Sequence, residues 1–447
     1  MHDLVIRGGT VVDVGTQVPH GAVRGYVMGE RGARNEPATP DDIAAMAALV
    51  REAVEAGALA FSTSRTMLHK AVDGEPVPGT FAAEDELFGI GRVLGELGSG
   101  LFELAPAGVA GEDALAPERE LDWMLRLSQE IGRPVTFAMT QSEACPDTWR
   151  KMLDLSRDAV ASGAQVRPQV AGRPSGLMFG LETTYHPFDD RPTFATLRQL
   201  PLAEQVARLA DPEVRARIMG ERQVYDDPMR AYLRTRFDRW FPLPEPLDYE
   251  PGPEGSVAGI AAAQGRHPED VVYDLMLEDG GRRLINVPVL NYVDGDMEAL
   301  REMLLHPAAA LGLADGGAHV AIICDASTPT FMLTHWARDR SRGERLPLEL
   351  VVRRQTHDTA SLYGLLDRGV LAPGYRADVN VIDHGSLRLR APRVAHDLPG
   401  GARRILQEAE GYLATVVAGT AVREHDADTG ARPGRLVRGA QPAPAAA

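Results

Sequence analysis

The chain has 447 residues, 44% of them hydrophobic, and a formal net charge of −16. That length allows two or three domains, or one α/β barrel with an accessory domain. The acidity repels phosphate backbones and argues against nucleic acid as a partner; no apolar run reaches the ~18 residues a membrane span needs. Two distant cysteines, Cys145 and Cys324, make neither a disulfide framework nor a zinc ribbon. The opening MHDLVIRGGTVVD lacks the basic region and long apolar core of a signal peptide, so the cytoplasm is the expected location.

In chain order, Leu4–Ile6 and Thr10–Val12 read as short strands around Gly8-Gly9. A further strand is expected near Val18. Residues 41–57 form an amphipathic helix ended by Gly57. Strands are then expected at 58–63, 101–105, 135–139 and 165–170, separated by helices at 83–97, 117–131 and 147–162. This alternation predicts a parallel α/β architecture. Residues 173–255 break the rhythm with many prolines and Trp240-Phe241, and read as an insertion or lid with a linker. Alternation returns with helices at 268–279 and 296–304, strands at 284–290 and 309–314, and helices near 329–340 and 346–357. The segments at 369–383 and 412–422 are β again, and 438–447 is expected to be a disordered tail.

The opening LVIRGGTVVD and the late LAPGYRADVNVID, at opposite ends of one chain, resemble the paired edges of the small β-domain of the amidohydrolase superfamily. Between them, VPHGAVR with VMG (18–29), GALAFSTS (57–64) and LADGGAH (313–319) resemble the N-acyl-D-amino-acid deacylase, or D-aminoacylase, group. The resemblance spans 1–13 and 17–437. It implies an incomplete TIM-like (β/α) barrel over 14–367, lidded by 173–255, with a small composite β-domain from 1–13 and 368–437.

The implied chemistry is hydrolysis of N-acyl-D-amino acids or related amides by water activated on a divalent ion, usually zinc. The resemblance places the proton-transferring aspartate at Asp315, after the last barrel strand. The His-x-His motif of the family's first strand and the cysteine near the end of its second have no counterpart. None of the twelve histidines is one residue from another. The chain passes from Asp13 into VGTQVPHG at a point where the family inserts two strand–helix units. Where relatives carry mid-barrel histidines, this chain has Glu103 and Thr140-Gln141. Asp315 and Glu103 are the candidate metal ligands, a set short of what zinc needs.

Arg167 and Arg173 flank the RPQVAGRP loop and suit either a clamp on a substrate carboxylate or an ion pair. His319 suits either a substrate contact or a packed loop histidine. His20 in VPHG suits loop orientation or ligation, and Cys324, beside Ile322-Ile323, suits a buried thiol. Six of eight barrel strands would remain, so one of the seven core strands read here falls outside the barrel. Such a sheet has two unpaired edges and invites closure by a second copy. The expected partner is a small N-acyl amino acid or amide. The alternatives are an inactive remnant and a metal-free binding protein of the same fold.

Overall fold

The computed structural model describes residues 14–221, 228–314, 316, 317 and 319–445. The expected strands within 1–13 and the side chain of Asp315 lie outside the described residues. Nine strands frame the site: β1 (Gln17–Pro19), β2 (Ala60–Ser64), β3 (Leu101–Ala105), β4 (Val135–Ala138), β5 (Val166–Ala171), β6 (Ser175–Phe179), β7 (Phe241–Pro242), β8 (Ile285–Leu290) and β9 (Ala310–Gly312). A six-stranded sheet has the order β1-β2-β3-β4-β5-β9, and every pairing in it is parallel. This is the expected incomplete α/β barrel, with β1 and β9 at its edges.

The strands read as apolar runs because helices cover the sheet. The helix Pro40–Glu55 starts at a capping box: Thr39 accepts from the Asp42 N–H and Asp42 accepts from the Thr39 N–H. It packs beside Glu84–Leu97, which packs against Ala116–Ile131. These helices bury Met46, Val50, Leu87, Ile90, Met124 and Leu127 over Phe61, Phe102 and Phe137 of the strands. Glycine appears where the helices stop: Gly98 and Gly132 take the left-handed conformation at the two C-caps.

The strand at 284–290, read as part of the barrel, is the one outside it. β8 is the centre of an antiparallel sheet, β6-β8-β7. That sheet and the surrounding helices enclose a second core, with Phe188, Phe194, Trp240, Val272 and Ile285 buried together. The inserted region is therefore more than a lid over 173–255, because its core draws on residues up to Val287.

Residues from Val379 onward form short antiparallel strands, including the pair Tyr412–Val417 and Thr420–Glu424. Residues 438–445 depart from the expected disordered tail. Val14 exchanges backbone hydrogen bonds with Arg435 and Val437, Gly439 N–H donates to Gly57, and Gln441 pairs with Gly364 and Leu366. Residues 435–441 thus tie the chain before β1 and the turn before β2 to the segment around Gly364–Leu366. Backbone groups of Gly439 and Gln441 are paired, which outweighs the weak Pro/Ala composition there.

Candidate active site

The C-terminal ends of the parallel strands open into a cavity of about 790 Å3. Its position follows from strand polarity: parallel strands place the loops that follow them on one side of the sheet. Side chains alternate along each strand, and the inward ones form a polar wall. Gln17 of β1, Ser62 and Ser64 of β2, Glu103 of β3 and Gln169 of β5 all line the cavity. Thr140 lines it just past β4. The facing wall is apolar and comes largely from the insert: Leu177, Leu233, Val289 and Leu290, with Leu313, Ile322 and Ile323 after β9.

A hydrogen-bonded chain crosses the cavity floor. Gln17 Nε2 donates to the Tyr363 hydroxyl at 3.1 Å, that hydroxyl donates to Glu103 Oε2 at 3.5 Å, and Gln169 Nε2 donates to Glu103 Oε1 at 2.9 Å. Burial pushes the Tyr363 phenol well above its ordinary range, so it remains a neutral donor to Glu103. Both Glu103 oxygens are therefore engaged with floor groups.

On the β1–β2 side, His20 is buried with Nδ1 2.8 Å from Thr63 Oγ1 and Nε2 2.8 Å from Glu86 Oε1. Arg24 holds both oxygens of Glu86. Burial pulls the His20 imidazole below its ordinary value, against the pull of Glu86 in the other direction. Burial also raises the Glu86 carboxyl, but hydrogen bonds from His20 and Arg24 outweigh it and hold that group ionised. With both ring nitrogens taken, His20 ties the first turn of its helix, His20–Met28, to β2 and to Glu86.

At the end of β2, Ser64 Oγ lies 2.7 Å from His69 Nδ1, and both residues line the cavity. The ring centroids of His69 and His319 are 6.5 Å apart. His319 lines the cavity and has a left-handed backbone, φ 47°. Its carbonyl accepts from the Ile322 and Ile323 N–H groups, which fixes the turn after β9. Asp315 follows Gly312, the last residue of β9, by three positions.

The two arginines do not join this set. Arg167, second in β5, points toward the other end of the sheet and donates to the Pro307 carbonyl at 3.3 Å. Arg173 is 4% exposed and is consumed as a tie. Its guanidinium donates to the Cys324 carbonyl, to Ser327 Oγ at 3.3 Å and to Asp325 Oδ1 at 3.4 Å, and lies 4.3 Å above the Tyr249 ring. A clamp on a substrate carboxylate needs a free fork at the cavity wall, and neither residue presents one there. Gln141 also turns away: its N–H donates to Asn291 Oδ1 and its Nε2 to Asp294 Oδ2. Burial raises the Cys324 thiol to about 11, in keeping with a structural thiol.

Among the described residues, no three His, Cys, Asp or Glu side chains come together in a group that could hold a metal ion. Glu103 is tied to Gln169 and Tyr363, and His20 to Thr63 and Glu86. The described donor set does not fit the zinc that the resemblance implied, because a zinc site needs three or four converging N, S or O ligands. The Ser64–His69 contact is a feature that the sequence reading missed. Two residue types five apart carry no motif, and only the turn after β2 brings them together.

Parallel strands with a cavity at their C-terminal ends, flanked by a late antiparallel region, define the class as a hydrolase-type (β/α) barrel. The chain belongs to the amidohydrolase family, whose sequence pattern matches residues 5–423. No curated protein sequence matches it significantly. Among solved structures, D-aminoacylase is 22% identical, covering 95% of this chain and 72% of its own, with a TM-score of 0.54. N-acyl-D-glutamate deacylase from Bordetella bronchiseptica, solved with zinc and a phosphonate inhibitor, is 21% identical. That match covers 96% of this chain and 72% of the deacylase, with a TM-score of 0.56. At these identities the likeness is one of fold. No described helix is long and apolar enough to cross a membrane.

Proposed function

We propose that the cavity binds an N-acyl amino acid or a related amide and that the chain hydrolyses its amide bond, with Asp315 as the proton-transferring carboxylate. One observation carries this reading: the cavity has a polar wall of strand-end side chains facing an apolar wall from the insert. An acyl chain suits the apolar wall, and the amide and amino-acid head suit the polar one. Family membership supplies the reaction class. The names of the two fold neighbours suggest amino acids of the D series.

His319 and Ser62 offer hydrogen-bonding groups to the head of such a substrate, and Glu103 and Gln169 order the floor beneath it. Zinc would polarise the carbonyl in a complete family site, but the described donors do not fit it and no step here passes through it. The test is release of amino acid from N-acetyl-D-amino acids, with metal content measured on the same sample. Asp315→Asn is expected to lower kcat by about 100- to 10,000-fold, the range for loss of a general acid–base group. Unchanged turnover in that variant would remove Asp315 from the mechanism.

A metal-free binding protein of the same fold is the second reading, favoured by the absence of a metal-holding group among the described residues. Saturable binding of N-acetyl-D-amino acids with no turnover by the unmodified chain would select it.

A further inference from the structure

Glu103 is the third of five residues in β3. It therefore lies two residues inside the strand's cavity end, about 6–7 Å below it. Ser62 is its register partner on β2, and both line the cavity. Glu103 is only partly buried, so a ligand that reaches the floor can touch it.

This carboxylate dictates the direction of the floor's hydrogen bonds, because it accepts and cannot donate. Gln169 must turn its Nε2 to Glu103 Oε1, and the Tyr363 hydroxyl must give its proton to Glu103 Oε2. That hydroxyl is then the acceptor for Gln17 Nε2. The chain converges on one anion, and all of its donors are neutral. A carboxylate has about four lone-pair sites, and Gln169 and Tyr363 take one on each oxygen. Other buried glutamates are held by arginine: Glu86 by Arg24, Glu120 by Arg65 and Glu250 by Arg340. Asp325, also on the cavity lining, pairs with Arg173. Among the described residues no cation pairs with Glu103, and no lysine or arginine lines the cavity. The charge of Glu103 is left for the cavity's occupant.

We propose that Glu103 selects the substrate's side chain, so that the cavity takes N-acyl amino acids whose side chain ends in a primary ammonium, as in lysine. The proposal rests on the reading of the cavity as a site for N-acyl amino acids and names the class within it. With the acyl chain on the apolar wall and the amide near the strand ends, the amino acid's side chain runs to the floor. An ammonium has three donors and no acceptor, which complements the sites Glu103 keeps. The four-carbon stem of lysine spans the depth from the strand ends to Glu103, whereas a side chain the size of alanine stops short. A side chain ending in a carboxylate meets a like charge there.

The test measures binding of Nα-acetyl-D-lysine, Nα-acetyl-D-norleucine and Nα-acetyl-D-glutamate to the full chain by calorimetry, and follows amino-acid release on the same samples. The lysine and norleucine derivatives share the stem and differ in the ammonium. The lysine derivative is expected to bind about ten- to a hundredfold more tightly than the norleucine one, the range for a hydrogen-bonded charge, and the glutamate derivative most weakly. That preference is expected to vanish in Glu103→Gln and to persist in Tyr363→Phe, which removes a neutral donor and leaves the carboxylate. No binding of the lysine derivative by the unmodified chain, or binding equal to that of the norleucine one, overturns the proposal without need of a variant. An undiminished preference in Glu103→Gln overturns it too. Hydrolysis that does not favour the lysine derivative overturns the selectivity and keeps the amide reading. Tight, Glu103-dependent binding of that derivative with no release of lysine keeps the cation site and sinks the hydrolysis.

Discussion

The two walls of the cavity come from regions built on different principles. The parallel half is a layered structure in which helices cover strands in chain order, and its inward side chains at the strand ends are polar. The insert is a locally paired antiparallel sheet with its own aromatic core, and it gives the cavity leucines and valines. The difference separates two tasks. Polar side chains sit at the ends of buried strands held on both sides, whereas the apolar wall sits on a region whose core can vary without disturbing them. Two devices join the regions. Backbone N–H groups of Met178 and Thr184 donate to Ile322 and Ala321, and the linker residue Glu250 is gripped from the helical side.

The largest test of that separation is Trp240→Ala. Trp240 is fully buried in the insert, edge-on to Phe179 at 5.0 Å and to Phe237 at 4.9 Å, and its Nε1 donates to the Leu233 carbonyl. Truncation is expected to cost about 3–5 kcal/mol. If the cores are separate, calorimetry will show a low-temperature transition for the insert while the parallel half melts near its original temperature. A single transition shifted as a whole would show one cooperative unit.

The contrast also explains what the sequence disclosed. Strand–helix alternation placed the helices at 84–97 and 116–131 and the strand at 101–105 within a residue of their observed limits, because each segment repeats one burial pattern. The helices between 173 and 255 went unread because their prolines looked like breakers, whereas the insert's helix at 268–277 was read. Pro192 and Pro212 instead occupy the first turn, where the missing N–H costs nothing, and Asp211 caps the second of these helices. Gly21 and Gly25 similarly hid the helix His20–Met28, which is held by Arg24 reaching the buried Glu86. β8 was legible as an apolar strand but not as an antiparallel one, since INVPVL carries no record of its partner. The cavity residues divide in the same way. His319 was found through its motif, whereas Arg167 and Arg173 were chosen for their chemistry and turn out to serve the sheet base and an internal tie.

The second test addresses the joint. Burial raises the Glu250 carboxyl, but hydrogen bonds from Arg340, His335 and the Met297 N–H outweigh it and hold the group at about 2. Its folded value lies below its unfolded value, so the unfolded chain binds the extra proton first. The stabilisation is complete above about pH 5 and is lost as pH falls toward 2. With Glu250 almost wholly buried, the difference is on the order of 3 kcal/mol. Glu250→Gln is expected to remove this acid-dependent component and to leave Arg340 with only the half-exposed Glu298 as its counter-charge. Urea titrations between pH 7 and 3 should therefore diverge between parent and variant at neutral pH and converge on acidification. Parallel curves would place the acid sensitivity elsewhere.

The smallest expected effect sharpens the division of labour most directly. Leu290 ends β8 and lines the apolar wall, and Leu177 lines it from β6. Leu290→Ala trims the apolar wall, and an acyl chain lying there, as proposed, would lose that contact. Loss of such a contact is worth about 1–2 kcal/mol, or roughly ten- to thirtyfold in kcat/KM. The loss is expected for long N-acyl substrates and to be nearly absent for N-acetyl ones, which are too short to reach that wall. The ratio of the two substrates is the informative quantity, because a general weakening of the fold lowers both together. A ratio that does not move would mean that the acyl chain lies along the strand ends and that the walls have been assigned to the wrong halves of the substrate.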